Sequence, residues 1–301
     1  MEPVAGFEIG HWSDPVAQTG CTVVIPPPGS HGGVDVRGGG PGTRETEVIG
    51  PAAGAREVTA VVLTGGSAYG LAAADGVAHW LEGQGRGYAT PGGLVPIVPA
   101  AVVYDLAAGD PSVRPGPEQG RAACEAARKG VPDRGRVGAG CGTAVGKIFG
   151  RERATVAGVG FASARSGGGH GVAALAVVNS FGDILAEDGS VLAGPGSAEA
   201  IAAMEGQPDW TQLEERNTTL VCVMTDAGLD PAGCTRVARM ASGGVARAVD
   251  PVFSDLDGDV AFCLASGVGT SDRFTALAVG TIAATVTAAS VRDAVRSARD
   301  S

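Results

Sequence analysis

Arg216-Asn217-Thr218-Thr219-Leu220-Val221-Cys222-Val223 sets a small amide residue and a hydroxyl residue at the mouth of an apolar, β-like segment. If the chain cuts itself between Asn217 and Thr218, the new N-terminus is a threonine whose α-amine lies beside its own hydroxyl. A free α-amine titrates near about pH 7.7 to 8 and can accept the hydroxyl proton, so one residue supplies both nucleophile and general base. No histidine is then required. The plainer reading is a turn entering a strand, because Asn favours turns and Thr favours strands. On the tripeptide alone that plainer reading is the stronger one.

Around this stretch the periodicity predicts a strand over 219–225, a helix over 231–249, a strand over 260–264 and a long final helix over 272–298. Upstream, Thr155 to Ser163, Val172 to Val178 and Ile184 to Ala186 read as strands, with Asn179-Ser180-Phe181-Gly182-Asp183 as a turn. The polar stretch 188–215 reads as an exposed connection, where a nick is tolerated. Toward the N-terminus, Cys21 to Ile25 and Glu57 to Leu63 read as strands. Gly65-Gly66-Ser67 opens a helix over 68–82, and a second helix is predicted over 117–129. The loop Val34 to Thr46 is dense in glycine and charge, which suits a wall of a site lined by main chain. Strands and helices mix without strict alternation, so the expected class is an α+β layered sandwich rather than a doubly wound sheet.

The 301 residues can bury a substantial core, and no linker-like stretch divides them, so one domain over 1–301 is expected. Fifty glycines with 4% aromatic residues describe tight packing of small side chains. A net charge of -10 argues against a nucleic-acid groove, which needs clustered Lys and Arg. The six scattered cysteines form no C-x-x-C pair, consistent with buried reduced thiols in a cytoplasmic protein. Met1 to Val4 lacks the basic flank of a signal peptide. The uncharged stretch Phe274 to Val291 is long enough to span a membrane, but its alanines and threonines point to a core helix buried on most of its surface. No membrane partner is expected.

Val137 to Lys147 resembles a phosphate loop but has Cys141 where the first Walker glycine belongs and Ile148 where Ser or Thr must follow the lysine. A dinucleotide pattern from Gly138 fails at Thr143. No G-x-S-x-G or H-E-x-x-H occurs, and His11, His31, His79 and His170 stand apart, so metal and Ser-His-Asp schemes have little support. Asp255-Leu256-Asp257-Gly258-Asp259 is not a calcium loop, lacking glycine at Val260 and glutamate at Ser266. It reads as a solvated turn, or as a group that orients an ammonium. Lys147 is a surface lysine or an oxyanion stabiliser, Asn179 a turn former or an amide donor, and Tyr104 a core residue or a phenol donor in the site.

Several motifs in one order bear on these alternatives: 19–24, 34–46, 63–71, 138–147, 217–219 and 255–259. Together they resemble the self-cleaving amidases that include D-aminopeptidase, β-peptidyl aminopeptidases and 6-aminohexanoate-oligomer (nylon) hydrolase. The resemblance implies a four-layer αββα fold of the D-aminopeptidase/ornithine acetyltransferase type, with a precursor cut at Asn217-Thr218 into an α chain 1–217 and a β chain 218–301. It implies Thr218 as nucleophile, with Tyr104, Lys147, Asn179, Asp257 and Asp259 as its companions. It also implies a small amide or peptide substrate, no cofactor, and a homo-oligomer, tetrameric or larger. Thr218 leans toward the nylon-hydrolase side, since aminopeptidase members often begin the β chain with serine. An acyltransferase of the ornithine acetyltransferase type and a non-catalytic scaffold are the alternatives.

Overall fold

The computed structural model describes residues 2–54, 57–202, 217–267 and 272–300. Its principal strands are β1 (Glu8–Asp14), β2 (Thr19–Ile25), β3 (His31–Val36), β4 (Thr43–Arg44), β5 (Val61–Thr64), β6 (Ala100–Val102) and β7 (Arg128–Lys129). These are followed by β8 (Val159–Arg165), β9 (Gly171–Asn179), β10 (Thr218–Thr225) and β11 (Val260–Ala265). The principal helices are α1 (Ala73–Gly83), α2 (Pro117–Glu125), α3 (Pro231–Val245) and α4 (Arg273–Ala298).

Two sheets form, in the orders β4-β6-β5-β2-β1-β7 and β8-β9-β10-β11-β3. Each is mostly antiparallel, with one parallel pair: β5 with β6, and β10 with β11. A helix carries each parallel crossover, α1 in the first sheet and α3 in the second. Strand periodicity then sorts the side chains into layers. In β10, Leu220, Cys222 and Met224 join Val24, Val61 and Leu63 of the other sheet in one core, while Val221 and Val223 pack with Val237 and Ala241 of α3 and Val286 and Val291 of α4. On the far side, Cys21, Val23 and Ile25 of β2 meet Ala74, Val77 and Leu81 of α1 and Ala123 of α2. The result is the αββα arrangement, helices outside and two sheets within. Strands covered on both faces explain why β10 reads as an unbroken apolar run rather than an alternating one.

Small residues set the layer spacing. A Cβ on Gly160 of β8 would overlap the Ser290 carbonyl and the Ala294 amide of α4, so the helix rests directly on the strand's main chain. Helix α4 is the one described helix long and apolar enough to cross a membrane, yet it lies against β8, β9 and α3. Just over half of its apolar window is buried (56%), and Phe274, Leu277, Thr281 and Thr285 face outward.

The helix predicted over 117–129 ends at Glu125, because Arg128 and Lys129 leave it to pair with β1. The helix predicted from Ala68 starts with a 3-10 segment, Ser67–Ala72, and becomes α-helical only at Ala73. The helix predicted over 231–249 stops at Val245, since Val249 and Asp250 pair with Asp183 and Ile184. The strand predicted over 155–163 is broken between Val156 and Val159. Of the connection predicted over 188–215, the first part contains the strand Val191–Ala193 and the short helix Ser197–Ala202, and 203–215 lies outside the described residues. All six cysteines are buried and unpaired, and burial pushes the Cys21, Cys124 and Cys222 thiols upward.

Because α4 sits on bare main chain at Gly160, Gly160→Ala is expected to destabilise the protein by about 2 kcal/mol, the usual cost of overpacking. Thermal melting followed by circular dichroism checks this, and an unchanged melting temperature contradicts the close packing.

Candidate active site

The site lies at one end of the five-stranded sheet. Asn179 closes β9 and Thr218 opens β10, and the two are direct partners in the antiparallel register. Asp259 immediately precedes β11, which runs parallel to β10, so its carboxyl arrives beside the start of β10. Sheet register alone therefore brings together three residues that are far apart in sequence.

Thr218 and Asn217 are both buried. The Thr218 hydroxyl donates to the carbonyl oxygen of Asn217, the peptide at which a cut would fall. That carbonyl oxygen also accepts from the main-chain N–H of Gly258 at 2.7 Å. A fixed amide aimed at a carbonyl oxygen polarises the carbonyl and stabilises the negative charge that nucleophilic attack would place there. Asn217 is held in turn by its N–H to the Leu256 carbonyl (3.1 Å) and its side-chain Nδ2 to the same oxygen (3.3 Å).

Lys147 reaches this peptide from the other side. Gly146 and Lys147 donate their N–H groups to the Gly182 and Phe181 carbonyls, fixing the glycine-rich segment against the turn that follows β9. The buried Lys147 ammonium then donates to the Asn179 carbonyl (3.0 Å), Asn179 Oδ1 (2.8 Å) and Asn217 Oδ1 (3.0 Å). A buried cation requires such oxygens to replace its water. Asn179 Nδ2 donates to the Tyr104 carbonyl at 3.0 Å. Tyr104 thus reaches the cluster through its main chain, while the residue itself is half-buried.

Asp257 and Asp259 are both buried. Asp257 accepts from Phe181 N (3.1 Å) and Ser254 Oγ (2.5 Å). Asp259 accepts from Thr219 N (2.5 Å) and Phe253 N (3.3 Å). Burial holds both carboxyls above the ordinary carboxylate range. The neighbouring Asp257 charge lifts Asp259 further, while Ser254, Phe181 N and the Lys147 charge pull Asp257 back down.

The glycine loop forms a wall, as its composition suggested. Arg37 and Gly38 donate their N–H groups to the Asp259 carbonyl, Gly39 to Ser254 and Gly40 to Asp257, so main chain zips 37–40 onto 254–259. A Cβ on Gly258 would come within 2.8 Å of the Gly40 carbonyl and 3.0 Å of the Thr218 hydroxyl. Thr218, Asn217, Lys147, Asn179, Asp257 and Asp259 therefore meet at one point. Gly258 was missed as a contributor, and its position inside D-x-D-G-D was the available signal. The four histidines lie outside this cluster: His11 bonds Thr22, His31 the Leu229 carbonyl, His170 faces Asp226, and His79 is exposed on α1.

The model of peptidase family S58 matches residues 2–300. The chain belongs to that family. An uncharacterized aminopeptidase of Mycobacterium leprae is 45% identical over 290 residues, covering 88% of this chain and 77% of the relative. A 6-aminohexanoate-oligomer endohydrolase of an Agromyces species is 30% identical over 268 residues, covering 86% of this chain and 72% of that one. Among solved structures, the L-aminopeptidase D-Ala-esterase/amidase of Ochrobactrum anthropi, described as a variant of the Ntn hydrolase fold, superposes with a TM-score of 0.74 at 19% identity. That match covers 98% of this chain and 85% of the other. The fold is thus the Ntn-hydrolase variant, and this S58 chain is a hydrolase of amide bonds.

The raised carboxyls set the sign of a pH effect. In the unfolded chain they titrate near about 4, whereas in the folded one they keep their protons to higher pH. Their contribution to stability is complete below the unfolded value and is lost as pH rises through the folded one. In an uncut Thr218→Ala background, adding Asp259→Asn should therefore raise the melting temperature progressively, relative to Thr218→Ala alone, from about pH 4 to about pH 8. A difference independent of pH contradicts the raised carboxyl.

Proposed function

We propose that this S58 chain is made as a precursor, cuts itself between Asn217 and Thr218 into chains 1–217 and 218–301, and then hydrolyses small amides through an acyl-enzyme on Thr218. The observation that carries the reading is the Asn217 carbonyl, which takes the Thr218 hydroxyl on its oxygen together with the Gly258 N–H at 2.7 Å. In the first step Thr218 Oγ1 bonds to the Asn217 carbonyl carbon and the C–N bond breaks, leaving an ester and a free α-amine that takes the hydroxyl proton. Water then hydrolyses the ester and releases Asn217 as a carboxylate. Lys147 holds Asn217 in place through Oδ1, and Gly258 N steadies the developing oxyanion.

In turnover the Thr218 amine takes the hydroxyl proton, and Oγ1 attacks the substrate carbonyl. The leaving amine departs with the proton, and water hydrolyses the acyl ester. Lys147 and Asn179 steady the reacting groups, the Tyr104 phenol binds near the scissile carbonyl, and Asp257 with Asp259 orients the amine. The substrates are small peptides or ω-amino acid oligomers, a class suggested by relatives named aminopeptidase and 6-aminohexanoate-oligomer endohydrolase. A homo-oligomer, tetrameric or larger and cytoplasmic, suits the exposed Phe274 and Leu277 of α4.

Amino-acid p-nitroanilides and 6-aminohexanoate oligomers test the reading against wild type, Thr218→Ala, Thr218→Ser and Lys147→Ala. Thr218→Ala should be inactive, Thr218→Ser active, and Lys147→Ala slower by about a hundredfold or more. Quenched turnover should leave the acyl mass on the fragment that begins at Thr218. Hydrolysis by Thr218→Ala at the wild-type rate contradicts the reading. Acyl product appearing only when an amine acceptor is added favours the acyltransferase instead.

A further inference from the structure

Asp105 is buried at 2% exposure and tied to two segments distant in sequence. Its Oδ1 accepts from Gly66 N at 2.7 Å and its Oδ2 from Thr19 Oγ1 at 2.7 Å, while its own carbonyl accepts from Ala108 N at 2.8 Å. The slot is cut for this group: a Cβ on Gly65 would overlap Oδ2, and one on Gly142 would come within 2.9 Å of the Asp105 Cβ. Burial nonetheless raises the Asp105 pKa despite both donors, so the slot is not arranged around a strongly favoured charge.

The peptide unit that Asp105 anchors carries the Tyr104 carbonyl. That oxygen accepts from Asn179 Nδ2 at 3.0 Å, while Asn179 Oδ1 accepts from the Lys147 ammonium at 2.8 Å and from Ala144 N at 3.2 Å. Flipping the Asn179 amide would set NH2 against the ammonium and the Ala144 N–H, and oxygen against the Tyr104 oxygen. The Tyr104 carbonyl, with the Ala144 N–H, therefore helps set which end of the amide meets Lys147.

We propose that Asp105 is a positioning residue for Thr218 chemistry: by pinning the Tyr104–Asp105 peptide to Gly66 and Thr19, it orients the Asn179 amide and through it the Lys147 ammonium. The inference rests on the roles given above to Lys147 and Thr218. It assigns Asp105 a geometric task rather than an electrostatic one, and this separates its variants. Asparagine accepts from Gly66 N with Oδ1 and donates to the Thr19 hydroxyl with Nδ2, so it fills the same slot without charge. Alanine leaves both donors unmet.

Self-cleavage is followed by denaturing mass spectrometry in wild type, Asp105→Ala, Asp105→Asn and Lys147→Ala, with kcat and KM measured on the cut proteins. Each variant is also melted in the uncut Thr218→Ala background. Asp105→Ala should cut about a hundredfold more slowly and lose kcat by a like factor at a KM within about threefold, the expected effect of a displaced catalytic group. Asp105→Asn should stay within about tenfold of wild type. A crystal structure of Thr218→Ala/Asp105→Ala should show the Asn179 amide detached from the Tyr104 carbonyl, with the Asn179 to Thr218 strand register kept. If Asp105→Ala does not fold, Thr19→Val takes its place in both measurements.

Three results overturn the inference: Asp105→Asn as slow as Asp105→Ala, which points to charge; Asp105→Ala cutting at the wild-type rate; or an undisturbed Asn179 amide in the crystal. Lys147→Ala cutting at the wild-type rate removes the underlying reading itself, whatever the Asp105 variants do.

Discussion

The arrangement depends on one buried ammonium. Lys147 Nζ lies among the Asn179 carbonyl, the Asn179 amide oxygen and the Asn217 amide oxygen. A cation out of water survives only where such oxygens and nearby negative charge replace its hydration. This requirement fixes the end of β9, the glycine-rich segment that carries the lysine and the entry to β10 relative to one another. It also ties Asn217 to the strand end where Thr218 begins, so the interaction that stabilises the charge also holds the peptide proposed to be cut.

The remaining parts are consequences of layer packing. Sheet register sets Asn179 opposite Thr218, and the parallel pairing of β10 with β11 brings Asp259 to the Thr219 amide. Glycines 38 to 40 let the loop after β3 zip its amides onto 254–259, which in turn aims the Gly258 N–H at the Asn217 carbonyl. The two aspartates sit behind this wall with carboxyls raised by burial, Asp259 further lifted by Asp257.

Much of this was legible in the sequence where side-chain chemistry or periodicity carried the signal. The apolar run from Leu220 announced a buried strand, and the order of the glycine, lysine, asparagine and aspartate motifs pointed to the self-cleaving amidases and their αββα fold. What escaped notice was the work done by main chain outside the glycine loop. Gly258 acts through an N–H that no residue letter records, and Tyr104 meets the cluster through its carbonyl. Helix ends were misplaced where tertiary pairing overrode local pattern, as at Arg128 and Lys129, which abandon a helical periodicity to pair with β1. Asp105 gave no local signal, because its partners Thr19 and Gly66 lie 86 and 39 residues away.

The central claim is that the Asn217 to Thr218 peptide is held for attack by its own threonine. The most direct measurement is the intact mass of the purified wild-type protein under denaturing conditions after prolonged incubation. Two fragments, the smaller beginning at Thr218, are predicted. A single full-length chain, or a cut at any other peptide, contradicts the account.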